Sequence, residues 1–408
     1  MIMKNVLINR NFILLWIGRL VSQVGDKFYG IALAWWVLQK TQSPVIMGML
    51  MVTSALPGLL IAPWAGVYID RWYRKPVIIV ADVTRGLFVL AVAILSMLHR
   101  LEVWHVFVAA AIISLGSIFY DPTIQAILPQ IVSKEQLPKA NSYSQIIGGV
   151  STVLGPVLGA VSVSLFSYAV VFSFNGISYF ASAFCAGFMM IPSICSTEVA
   201  SRKKRKTWDD LQEGIRFLLG QRSIFIIIIL IGLAHLFFGG LLVSLPFLAG
   251  ALEGKGVQNL GCLETMMGVG LILGSLYTGL KAKTTLKDWH LFLFILILGI
   301  GNFFIGVLKG LNVCTLTPYL LLMMMVGAAM ANASIYWQSI LQMKTPGGMR
   351  GRIFSISTMV GNLSLPLAYG LFGFWLQSIS LMILMSISGV CLMIWSIILF
   401  AGYSKEHV

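Results

Sequence analysis

The sequence predicts an all-α membrane protein, with twelve transmembrane helices arranged as two six-helix pseudo-repeat halves. Three observations carry that expectation. Of the 408 residues, 58% are hydrophobic and only 10% charged, with a mean hydropathy of +0.91. A soluble protein of this size could not cover its surface with so little charge. Apolar stretches recur along the chain, each near the roughly 20 residues that a bilayer-spanning helix needs. Finally, Lys and Arg fall in alternate loops. Lipid cannot satisfy backbone polar groups, and runs this apolar lack the alternation of barrel strands, so the spans must be helices.

The spans are expected at residues 11–39, 45–69, 77–97, 104–131, 140–166, 168–192, 223–249, 261–280, 289–308, 317–343, 353–376 and 380–402. The N-terminus, even-numbered loops and C-terminal tail hold 21 Lys and Arg, against Lys40, Arg100, Lys255 and Lys309 in the odd-numbered loops. The positive-inside rule then puts both termini in the cytoplasm. The net charge of +14 is thus a topology signal, and no nucleic-acid partner is expected. Lys4 and Arg10 before an apolar run suggest a signal peptide. That run is too long, however, and contains Arg19, Asp26 and Lys27 without an evident cleavage site, so it reads as a retained first span. The five cysteines are scattered without paired spacing and read as small packing residues.

One connector is longer than the rest. Residues 193–222 include the basic run Arg202-Lys-Lys-Arg-Lys206, a topology anchor near anionic lipid. Apolar positions 208, 211, 215, 218 and 219 follow at helical spacing, which predicts a helix along the membrane surface. The linker divides the chain into an N-terminal half, 1–192, and a C-terminal half, 223–408. Repeats support the division: Gln125-Ala-Ile-Leu128 echoes Gln338-Ser-Ile-Leu341, and Pro156 with Gly159 echoes Pro366 with Gly370. Two six-helix halves around a midplane site are common among secondary transporters.

Other machines lack their parts. Gly254-Lys255-Gly256 has neither the spacing nor the hydroxyl of a phosphate loop. No metal-ligand spacing or nucleophile motif stands out. The chain is therefore expected to be no enzyme, with no metal and no cofactor. An ion gradient is the expected energy source, since each charge moved across 100 mV supplies roughly 2.3 kcal/mol.

Polar residues inside the spans point to the working parts. Arg19, Ser22, Gln23 and Asp26 follow i, i+3, i+4, i+7 and make one stripe on span 1. An ionised group near the bilayer centre costs about 2.5–3.5 kcal/mol, so it must face a cavity or a partner. A carboxylate there suits proton coupling or binding of a cationic compound; the alternative is a structural ion pair with another span. Lys27 points about 100° away around the helix. Glu264 in span 8 and His235 in span 7 are further candidates for substrate or proton coupling, with an interfacial carboxylate and an interhelical hydrogen bond as the alternatives. Asp82 and Arg85 in span 3, and Asp121 before Pro122 in span 4, are assigned to gate or packing electrostatics. Met323-Met-Met325 and the many Phe and Trp residues suit a lipophilic pocket or a lipid-facing surface.

The stretch Gly66-Val-Tyr-Ile-Asp70-Arg71-Trp-Tyr-Arg74-Lys75 packs an anion and three cations between spans 2 and 3. It resembles the signature loop of the major facilitator superfamily, Gly-x-Leu-Ala-Asp-Arg-x-Gly-Arg-Lys, with Tyr73 in place of the second glycine. In span 5, Gly155-Pro156-Val-Leu-Gly159-Ala160 resembles that superfamily's antiporter signature, with Ala160 for the last glycine. The segments 70–75, Pro138-Lys-Ala-Asn-Ser-Tyr-Ser-Gln145 and Arg350-Gly-Arg-Ile-Phe-Ser355 are similar to the macrolide-efflux-like branch. This resemblance implies a twelve-helix proton-coupled drug exporter in a bacterial cytoplasmic membrane. It also implies a cytoplasmic latch in which Asp70 meets the start of span 11 beside Arg350 and Arg352. Arg71 or Arg74 is expected to pair with Asp82 or Asp121. Span 4 carries Ile113 and Ser114 where many proton-driven members have an arginine, which moves the coupling role to Asp26.

Together these features predict an alternating-access exporter of lipophilic small molecules, with protons and membrane lipids as its other partners, acting as a monomer. Siderophore export, lysophospholipid transport and a non-transporting membrane receptor stay open as alternatives.

Overall fold

The computed structural model describes residues 9–133, 136–190, 207–281, 287–346 and 349–404, with the backbone path alone in several helical stretches, 63–71 among them. The basic run at 202–206 lies outside the described residues. Within them the chain forms α1 (Arg10–Thr41), α2 (Pro44–Arg71), α3 (Arg74–Met97), α4 (Val103–Ile131), α5 (Leu137–Leu165) and α6 (Tyr168–Gly187). The short α7 (Thr207–Gly220) precedes α8 (Arg222–Gly250), α9 (Gly256–Lys281), α10 (Trp289–Gly310), α11 (Thr317–Lys344), α12 (Arg350–Ser378) and α13 (Leu381–Ser404). No strand occurs among the described residues.

Local chemistry sets the ends. Asn9 caps α1 by accepting the Phe12 N–H at 2.8 Å, and its amide donates to the Ile131 carbonyl at the end of α4. Gln42 closes α1 in the left-handed region, at φ 51°. Glu102 and His105 form a reciprocal cap at the start of α4. Prolines open α5 and α11, where a missing N–H costs nothing.

Among the described residues, eleven helices are long and apolar enough to cross a membrane. The 32-residue α1 has the length, while Arg19, Gln23, Asp26 and Lys27 lower its hydropathy. Expected and observed limits differ most at α6, which stops at Gly187, and at α9, which starts at Gly256. Hydropathy marks the bilayer slab, and a helix is free to end inside it or run beyond it.

Two compact units divide the chain: Met1–Gln42 with Leu50–Ser201, and Ser43–Met49 with Arg202–Val408. The pairings inside the first, α1 with α5 and α6 and α3 with α4 and α6, recur inside the second as α8 with α12 and α13 and α10 with α11 and α13. One crossing repeats residue for residue. A Cβ on Gly86 of α3 would press on Phe180 and the Gly176 carbonyl of α6, and one on Gly299 of α10 on Met393 and the Gly389 carbonyl of α13. Each residue of the second set lies 213 positions beyond its counterpart, as 299 does from 86. Such small residues let helices approach closely where lipid gives no hydrophobic drive. Polar bonds add to the adhesion in the second unit, where Trp337 donates to Ser357 at 2.8 Å and Thr278 to Asn332.

Candidate functional site: a buried charge cluster in the first unit

Asp26 sits half-buried on α1. It accepts a hydrogen bond from the Tyr179 hydroxyl and a longer one, 3.4 Å, from the Asn175 amide, both on α6. Gly25 makes this possible: a Cβ there would meet Asn175 Oδ1 and Ser178 Oγ at 2.5 Å. The α6 face that receives α1 is itself a polar stripe, since Asn175, Ser178, Tyr179 and Ser182 are all buried.

Arg85 on α3 lies within electrostatic reach of this carboxylate. It is 4% exposed and pairs with Asp82, one turn earlier and fully buried. Its guanidinium packs over the rings of Tyr120, at 4.4 Å, and Tyr179, at 4.6 Å, while Ser117 accepts from it at 3.4 Å. Desolvated cation–π contacts of this kind are each worth about 2 kcal/mol, and they offset part of the cost of removing the charge from water. Gly116 of α4 gives the arginine its room, because a Cβ there would stand 2.8 Å from Arg85 Cγ. Tyr179 thus touches both Asp26 and Arg85.

On its other side α1 meets α5. A Cβ on Gly155 would collide with Lys27 Cβ, and one on Gly159 would stand 3.0 Å from Phe28 Cα. Pro156 lies between them, buried inside the helix. The antiporter-like motif of span 5 is therefore the groove that receives the turn of α1 carrying Asp26.

The other expected site residues separate into groups. Gln23 is half-buried, and Ser22 turns its hydroxyl onto the Arg19 carbonyl, 3.2 Å away. Arg74 donates to the Ala126 carbonyl at 3.0 Å, and Lys75 to the carbonyls of Gly187 and Met189 at 2.6 and 2.9 Å. The expected pairing of Arg74 with Asp82 is thereby corrected. Asp82 is taken by Arg85 on its own helix, while Arg74 bonds a carbonyl within α4 and Lys75 the carbonyls at the end of α6, where the dipole is negative. Asp121 lies within electrostatic reach of Arg19 and Arg85. The side chains of Gly66, Asp70, Arg71 and Arg350 lie outside the described residues.

His235 and Glu264 belong to the second unit. The His235 ring bonds the Ile231 carbonyl of its own helix at 2.9 Å and meets Trp337 edge-on. Glu264 is half-buried on α9 and engaged by a neighbour. Arg352, at the start of α12, pairs with Glu213 of α7 at 2.9 Å. Among the described residues no group of His, Cys, Asp and Glu is arranged to hold a metal.

Sequence reasoning named Asp26, Asp82 and Arg85 but missed their joining residues, Tyr179, Asn175, Tyr120 and Ser182. A signal was there. Residues 175, 178, 179 and 182 repeat the i, i+3, i+4, i+7 spacing that identified the stripe on span 1.

A helical membrane fold, repeated pairings and an intramembrane charge cluster define a membrane transporter. The profile of the Major Facilitator Superfamily matches residues 15–369, and the chain belongs to that family. It is a multi-pass membrane transporter, not an enzyme. Macrolide efflux protein A of Streptococcus pyogenes is 23% identical over 368 residues, 87% of each chain. The multidrug efflux pump Tap of Mycolicibacterium fortuitum is 23% identical over 374 residues, 87% of this chain and 88% of that one. The crystal structure of the nucleoside transporter NupG superposes with a TM-score of 0.77 at 10% identity, covering 97% of this chain and 99% of that one; this likeness concerns the fold alone.

Proposed function

We propose that this transporter exports lipophilic small molecules, macrolide-like drugs among them, in exchange for protons by alternating access. The observation that carries the reading is Asp26, a half-buried carboxylate inside a span, held by Tyr179 and Asn175 beside the Arg85–Asp82 pair. Two carboxylates contend for one arginine. When Asp26 takes up a proton, Asp82 becomes the only charged carboxylate of the trio, and Tyr179 is free to follow the guanidinium. When Asp26 loses it, the attraction is shared again. A proton gradient thereby acts on the packing of α1 against α3 and α6. The similarity to efflux proteins over 87% of the chain supports export as the direction of transport.

In this reading the protein works as a monomer in a bacterial cytoplasmic membrane, surrounded by lipid, with both termini in the cytoplasm. The charged stretch 66–75 serves as the cytoplasmic latch, with Asp70 as its anion. The test is drug-driven proton flux in proteoliposomes, with erythromycin and a panel of lipophilic antibiotics as probes. Asp26→Asn is expected to abolish coupled flux while inserting normally, and wild-type flux in that variant removes Asp26 from the mechanism. In the same assay Asp70→Asn is expected to insert and fold but to export poorly.

A further inference from the structure

Two turns before Asp26 on the same face of α1, Arg19 borders a cavity of about 450 Å³ lined by Gln125, Leu128 and Pro129 of α4 and Leu137, Asn141 and Ser144 of α5. That volume lies in the range of small-molecule sites, roughly 300–1,000 Å³. Its chemistry is mixed. Aliphatic side chains of α4 and α5 share the lining with a guanidinium, two carboxamides and a hydroxyl. The Arg19 Nε–H is buried without a hydrogen-bond partner, although a permanent cation inside a span calls for one. Ser144 spends its proton on the Ala140 carbonyl at 3.1 Å, so donation to a guest falls to Arg19 and the amides. Asp121 offers long-range attraction to the cation but does not fill the cavity.

We propose that this cavity, with Arg19 as its anchoring cation and Gln125 and Asn141 beside it, binds the carboxylate or phosphate of an amphipathic substrate. Leu128, Pro129 and Leu137 take the substrate's apolar body. The planar fork of arginine matches both oxyanions with paired bonds. The inference rests on the transport reading above and adds one class to the lipophilic substrates proposed there: amphipathic organic acids.

Binding is measured on the full chain in phosphatidylcholine nanodiscs by equilibrium dialysis of dodecyl phosphate, dodecanol and dodecylamine, with empty nanodiscs subtracted. Dodecyl phosphate is expected to bind about tenfold or more tighter than the other two, the scale of one charge-assisted hydrogen bond. Arg19→Gln should erase the preference, Arg19→Lys should retain part of it, and Asn141→Ala should weaken phosphate binding severalfold without affecting dodecanol. Equal binding of the three probes by the wild type, or a preference that survives Arg19→Gln, overturns the assignment. If phosphatidylglycerol in the disc removes the preference, the site holds a lipid headgroup and the substrate assignment is overturned as well. Asp26→Asn is expected to keep the preference while losing coupled flux. A variant with normal flux and normal preference therefore sinks the coupling role and leaves the subsite standing.

Discussion

Arg85 and Asp82 are the residues on which the first unit's interior turns. Both are almost wholly buried and joined to one another. Removing one partner of such a pair leaves an uncompensated charge, at a cost of about 3–5 kcal/mol, whereas replacing both with apolar residues of similar volume is close to neutral. Arg85→Met is therefore expected to lower the melting temperature of the purified protein sharply. Asp82→Leu added to it should restore most of the loss. A single variant that melts like the wild type would show the pair to be solvated. Periodicity alone revealed that Asp82 and Arg85 share a helix face, but their proximity to Asp26 depends on how α3 and α1 both pack against α6, and that lies beyond any one helix's sequence.

At the scale of elements, the contact of α5 with α1 shows why glycines in spans differ. Gly155 has Lys27 of α1 where its Cβ would stand, while nothing lies within 4 Å of the same point at Gly148 on the same helix. Gly148→Ala is expected to leave the melting temperature unchanged or slightly raised, since alanine favours helix by about 1 kcal/mol. Gly155→Ala should destabilise by about 1–3 kcal/mol through overpacking and displace the turn bearing Asp26, with transport reduced in the proteoliposome assay. Equal behaviour of the two variants would remove the groove from the account. The second unit solves the same contact the other way round: Gly239 and Gly240 on α8 make room for Ala368 and Phe372 of α12. The motif was legible in the sequence; the helix it receives was not.

The whole molecule repeats its scaffold but not its chemistry. At the positions 213 beyond Asp82, Arg85 and Tyr179 stand Ile295, Leu298 and Leu392, each fully buried. The buried cluster of Asp82, Arg85 and Tyr179 thus has only apolar residues at the corresponding positions of the second unit. Orientation in the membrane is tested by cysteine labelling in a chain whose own five cysteines are replaced. Lys255→Cys should react with an impermeant maleimide in intact cells, and Lys287→Cys only after permeabilisation. The reverse pattern would invert the topology.

The sequence by itself determined the helical class, the approximate limits of the spans, the expected sidedness of the loops and the stripe on span 1. All of these follow from transfer of side chains between water and lipid and from a period of 3.6, which act locally along the chain. Only the tertiary structure decided that Asp26 is held by Tyr179 and Asn175, that Tyr179 also packs under Arg85 of α3, and that Arg19 opens onto a cavity. These depend on which faces of separate helices meet. Between membrane helices that choice is made by small-residue contacts and single hydrogen bonds, whose pattern does not repeat along one helix.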